Sequence, residues 1–391
     1  MGKYNFDEII NRKNTNSLKY DYAKRRGKPE DVIPLWVADM DFRTPKEVID
    51  AIKEKAEHGI FGYSEPLDSY FDALDSWTSS HYNYHIDERK IILVPGIVFG
   101  IYQAIKALTN EGDGVLISQP VYYPFKESIL DTKRNLVVSE LVNVNGHYEF
   151  DFNDFEKKIV DNNVKLYLLC NPHNPVGRVW KYEELIKIKE ITKKHNVIVI
   201  SDEIHADFIY SNNKFVSYAN IDDDAIICIA PSKTFNLAGL HNGNLFIKND
   251  KYRRLVRRSI YDTGYSQSNV MGIIASEAAY RYGNDWLKEL IIYLESNLNY
   301  IRDYLNRFIP QIKLIEPEGT YLIWLDCSGL GISDERLNDI ILNKAKLWLD
   351  SGNIFGNCGK YYERINIACP KAILEKALDN LYSSLKDEKV I

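Results

Sequence analysis

Up to residue 247, short apolar runs alternate with segments of helical spacing, and this alternation restricts the possible folds more than any other feature. The runs fall at 91–94, 115–118, 164–170, 197–200, 225–229 and 244–247. Each is nearly continuous in apolar residues, as strands buried on both faces must be. Helical patterns separate several of them, for example 98–108, with Val98, Ile101, Tyr102, Ile105 and Leu108 on one face, and 182–194. The expected fold class is therefore α/β, an open and largely parallel sheet covered by helices on both sides.

Sheets of this kind bind ligands beyond the carboxyl ends of their strands. Gly96, Tyr122, Asn171, Asn174, Asp202 and Lys233 all stand just past strand ends. Lys233 is the most informative of them. It sits in Ala230-Pro231-Ser232-Lys233-Thr234-Phe235-Asn236-Leu237-Ala238-Gly239-Leu240, directly after the run 225–229. A solvated loop lysine is the plainer reading. A Schiff-base lysine requires the same placement, an amine held at a cofactor aldehyde with small and hydroxyl residues beside it. Asp202 closes the strand before it, in Ser201-Asp202-Glu203-Ile204-His205. A lone aspartate there is ordinarily a helix cap or solvated; beside a Schiff-base lysine it can face and protonate a pyridine nitrogen. Asn174 lies in the doubly turned Asn171-Pro172-His173-Asn174-Pro175. It is either a turn residue or a donor to a phenolic oxygen. The turn Pro95-Gly96 leads into a helix whose first amides can hold a phosphate, or it is a simple helix entry.

The rest of the chain frames that set. At 33–42 an apolar stretch carries Trp36 and two acids. It reads either as an extended arm on the core or as the mouth of a pocket. A capping box is expected at Thr44-Pro45-Lys46-Glu47, with Thr44 as N-cap and Gly59 ending the helix. Beyond Gly283 the pattern turns to α+β: a long amphipathic helix over 287–308, strands at 320–325 and 364–368, a helix near 335–349 and another from Pro370. The expected division is a large domain, 45–283, and a small one formed by 1–44 with 284–391.

With 391 residues, 45% of them hydrophobic, the chain can bury a large core. A net charge of −6 argues against nucleic acid or an anionic membrane as partner. Residues 1–12 contain no apolar core of a signal peptide, and no run is long enough to span a bilayer. Five cysteines without C-x-x-C or metal-ligand spacing fit reduced thiols in the cytoplasm and no metal site.

Three motifs in this order, N-P-x-N-P-x-G, S-D-E-x-H and S-K-T-F-N-L-A-G, resemble the fold-type-I pyridoxal-phosphate (PLP) enzymes of the class I/II aminotransferase superfamily. The likeness spans essentially the whole chain. L-W-V-A-D-M-D-F, P-V-Y-Y-P-F, D-E-I-H and R-I-N-I-A narrow it to the MalY/PatB branch of cystathionine β-lyases and cysteine C–S lyases. The resemblance implies a homodimer acting on a small amino acid. Lys233 would carry the cofactor and then move the Cα proton; Asp202 would meet the pyridine nitrogen and Asn174 the ring oxygen. Tyr122 would stack on the ring, with Tyr123 beside it. Gly96, Ile97, Val98 and Ser232 would hold the phosphate, joined by Tyr63 from the other subunit. Arg364 would clamp the substrate carboxylate, and Trp36 would line the substrate site. Two positions depart from the aminotransferase pattern: His205 stands where tyrosine is common and His241 where many place arginine. Both favour a lyase over the alternative, an aminotransferase.

Overall fold

The computed structural model describes residues 2–211 and 213–391. Its centre is a seven-stranded sheet of β1 (Ile91–Val94), β2 (Gly114–Ile117), β3 (Asn135–Val138), β4 (Val164–Cys170), β5 (Ile198–Asp202), β6 (Ile226–Ile229) and β7 (Gly243–Ile247). The order across the sheet is β1-β7-β6-β5-β4-β2-β3, and only β7 runs against the rest. The carboxyl ends of the six parallel strands therefore share one edge.

Alternate residues of these strands feed separate cores. Leu116, Tyr167, Leu169, Val199 and Ile227 face one way. Val115, Ile117, Leu166, Leu168 and Ile200 face the other, against the helix Ile97–Leu108. Gly100 lets that helix approach closely, since a Cβ there would meet Leu245 Cδ2 at 2.9 Å.

The later part of the chain builds a four-stranded sheet from β8 (Lys313–Leu314), β9 (Leu322–Asp326), β10 (Asp350–Ser351) and β11 (Tyr362–Asn366), ordered β8-β9-β11-β10. The 25-residue helix Asn284–Phe308 buries Leu287, Leu290, Leu294, Leu298, Ile301 and Leu305. The amino-terminal segment reaches this region through a parallel pairing of Ile33–Pro34 with Leu347–Trp348. Among the described residues no helix is long and apolar enough to cross a membrane.

Several expectations need correction. The helix after Thr44 starts at Lys46, so Pro45 is the N-cap and no side chain caps it. That shift leaves Glu47 one position short of N3, where it could have reached back. Only two residues of the stretch 33–42 are strand; the remainder is irregular. The helix expected over 335–349 is Asp334–Asp339 followed by a wider turn, Ile340–Lys344. Lys346, at φ 55°, then breaks into the left-handed region, and Leu347–Trp348 becomes a strand that covers the arm.

Candidate active site

The shared edge of the sheet gathers the residues singled out above. Asp202 ends β5, paired with Cys170 of β4 and Cys228 of β6. It is 4% exposed, and its Oδ1 accepts from the Ile204 N–H at 3.3 Å. Burial pushes the carboxyl up to about 7, against the pull of the nearby Lys233 ammonium. A buried acid with one backbone donor is ready to share a proton with a ring nitrogen.

Lys233 stands in the short helical turn Pro231–Thr234 that follows β6, with Ser232 half-buried beside it. Its Nζ donates to the Ala38 carbonyl at 2.9 Å. Burial lowers the amine to about 8; the Arg364 charge acts in the same direction, and Asp39 and Asp202 oppose it. An amine near neutrality can both attack a carbonyl and carry a proton. Asn236, at φ 58°, ties this turn to the arm. Its Oδ1 accepts from Met40 N at 2.9 Å, and its Nδ2 donates to the carbonyls of Met40 at 2.9 Å and Phe42 at 3.2 Å.

The loop after β4 brings Asn174 to the same place, 3% exposed, and its carbonyl accepts from Tyr122 N at 3.1 Å. The Tyr122 and Tyr123 rings lie 5.6 Å apart, both half-buried. Burial raises both phenols, so both remain protonated. Arg364, on β11, faces this group. Nη1 donates to Asn174 Oδ1 at 3.0 Å, and Nη2 to the Trp36 carbonyl at 2.9 Å and to Asp350 Oδ2. Its buried Nε has no hydrogen-bond partner among the described residues, and the guanidinium lies 4.8 Å above the Phe355 ring. One residue along the same face, Asn366 Nδ2 donates to the carbonyls of Val37 and Asp39. Trp36 itself stacks on Trp348, 4.4 Å between centroids, so it meets Arg364 through its backbone.

Gly96 caps the helix Ile97–Leu108 in extended backbone, and none of the described residues stands within 4 Å of where its Cβ would lie. The amides of Ile97 and Val98 are among those a helix leaves without internal partners. His205 is buried, its Nδ1 without a partner; burial and the charges of Lys233 and Arg364 hold the ring neutral. Tyr63 is placed elsewhere, 94% exposed, in a cavity shared with Pro95 and His241.

An amine, a buried carboxylate at a strand end, an aromatic ring, a forked arginine with an unpartnered Nε, and free amides over open space form a donor set that fits PLP. Ala38, Asn236, Asp350 and Tyr321, whose hydroxyl also donates to the Ala38 carbonyl at 3.2 Å, were not anticipated. Asn236, a polar residue three after Lys233, carried a readable signal. A backbone carbonyl such as Ala38's has none.

A sheet and site of this kind define a fold-type-I PLP-dependent enzyme. Residues 30–381 match the family described as aminotransferase class I and II, and the chain belongs to that family. It is 38% identical to cystathionine beta-lyase PatB of Bacillus subtilis (strain 168), over 97% of this chain and 100% of that one. It superposes on the PLP-bound C–S lyase of Staphylococcus hominis with a TM-score of 0.91 at 34% identity, covering 98% of each chain. A PLP-bound Clostridium difficile 630 protein, named as a candidate aminotransferase, gives a TM-score of 0.95 at 40% identity over 98% of this chain and 100% of that one.

Proposed function

We propose that the chain is a carbon–sulfur β-lyase that cleaves cystathionine and related cysteine thioethers. The net reaction takes R–S–CH2–CH(NH3+)–COO− and water to R–SH, pyruvate and ammonium. Its main support is the end-to-end similarity to a cystathionine β-lyase, 38% over 97% of the chain.

PLP, when bound, supplies an aldehyde that captures the substrate amine and a ring that draws electrons from Cα. Lys233 Nζ removes the Cα proton, since an amine lowered to about 8 accepts and returns protons readily near neutral pH. Asp202 keeps a proton on the ring nitrogen. Asn174 donates to the ring oxygen while its Oδ1 orients Arg364, and Tyr122 covers the ring face. Arg364 receives the α-carboxylate through the donors its protein partners leave, Nε and the second Nη1 hydrogen. Amides at Gly96, Ile97 and Val98, with Ser232, hold the phosphate. His205 contributes a neutral ring near Lys233 and Arg364.

The same reading makes the enzyme a cytoplasmic homodimer. Its support is the exposed segment holding Ile60, Phe61, Tyr63 and Leu67, all more than half exposed. Such a run is unusual for a surface facing water alone. Tyr63 then completes the phosphate site of the other subunit.

An aminotransferase would use the same lysine, aspartate and arginine. The holoenzyme given L-cystathionine is expected to release pyruvate, ammonium and thiol in equal amounts. Amino transfer to an added keto acid without thiol release would assign the second activity instead.

A further inference from the structure

A cavity of about 530 Å3 lies against the edge strand β10 and shares a wall with the site just described. Trp36, Tyr123 and Asp350 line it, and Asp350 is the carboxylate bonded to Arg364. The lining meets both faces of the sheet edge. Asp350 pairs across the strands with Arg364, and the next residue, Ser351, with Glu363, whose side chain points the other way.

The charges around the cavity are of both signs. Arg26, Lys28 and Lys126 stand on its wall with Glu127, Asp350 and Glu363. None of those three cations forms a salt bridge among the described residues. Lys28 lies close enough to Asp350 and Glu363 to favour their ionised forms, against the burial that raises both. Glu363 is 2% exposed, and its Oε1 has no hydrogen-bond partner among the described residues. A buried carboxyl group facing a cavity without a donor is a costly feature unless a ligand supplies one.

We propose that this cavity is the distal subsite of the enzyme, receiving the second α-amino-carboxylate group of a two-headed thioether. The ammonium of that group meets Glu363, and its carboxylate meets Lys28 with Arg26 and Lys126. Arg364 holds the near end and Asp350, bonded to it, lines the cavity, so a substrate clamped at Arg364 passes its sulfur beside Tyr123 and its far end over β10. A thioether with a plain alkyl group on sulfur gains nothing there. The inference deepens the lyase reading and rests on it.

The test compares L-cystathionine with S-ethyl-L-cysteine in the holoenzyme, Lys28→Ala and Glu363→Gln. Loss of one charge-assisted contact lowers kcat/KM for L-cystathionine about tenfold, mainly through KM, with S-ethyl-L-cysteine within about twofold. Lys28 is only half-buried, so its replacement tests the subsite even if Glu363→Gln fails to fold. Equal losses on both thioethers, or no loss on either, overturn the subsite and leave the lyase reading standing. If the unaltered holoenzyme cleaves neither thioether, both fail.

Discussion

Replacing Arg364 by lysine separates the shape of the guanidinium from its charge. Arg364 is 3% exposed and is held by Asn174, the Trp36 carbonyl and Asp350. Alanine would be a poor probe. It would leave the buried Asp350 without the cation bonded to it, and breaking a buried pair costs about 3–5 kcal/mol in folding. Lysine keeps the charge and loses the fork, so one of the contacts to the substrate carboxylate disappears. A hydrogen bond to a charged group contributes about 1.5–3 kcal/mol. At about 1.36 kcal/mol per tenfold, kcat/KM for L-cystathionine should fall roughly ten- to 150-fold. Most of the fall belongs in KM, because the carboxylate is held equally before and during proton removal. Steady-state pyruvate release gives both constants, and a thermal melt checks that the fold survives. A well-folded Arg364→Lys enzyme with kcat/KM within twofold of the original would refute the carboxylate clamp.

Lys233→Ala should reduce turnover by orders of magnitude while leaving the melting temperature near that of the parent without cofactor, because it removes attachment and proton transfer together; near-normal turnover would sink the assignment. Asn236→Ala removes three hydrogen bonds to the arm, at about 1 kcal/mol each, and should lower stability in urea by about 3 kcal/mol along with activity. Asp202 gives a pH signature. Its folded-state carboxyl is raised to about 7 from an ordinary 3.8, so the folded protein holds a proton there that the unfolded chain has released. That contribution to stability is complete below about 4 and is lost as pH rises through about 7. Asp202→Asn in the cofactor-free protein should therefore flatten the dependence of urea stability on pH between 4 and 7; an unchanged slope would show that burial does not raise this group.

What could be read in advance follows from where the information resides. Lys233, Asp202, Asn174 and Arg364 act through side chains at strand ends or on a strand face, where residue type and apolar periodicity mark them. The strands β4 and β6 were readable for the same reason. The arm was not. Its contribution to the site is the Ala38 carbonyl, and its path is set by Asn236 and Asn366, which reach it from distant parts of the chain, and by the Lys19–Asp41 pair within the arm. The hairpin Leu141–Val144 with His147–Phe150 was readable and was missed. Asn145-Gly146 is its turn, at φ 53° and 89°, the residue pair such turns prefer. The helix after Thr44 differed by a single residue because Pro45, expected inside the helix, stands just outside it.

The most direct test of the lyase reading is the cofactor spectrum during exposure to L-cystathionine with no keto acid present. The account predicts that pyruvate and ammonium accumulate over many turnovers while the yellow cofactor band returns to its starting form as substrate runs out. A band that converts once to the pyridoxamine form and stays there, with no pyruvate and no thiol, would contradict it and identify an aminotransferase.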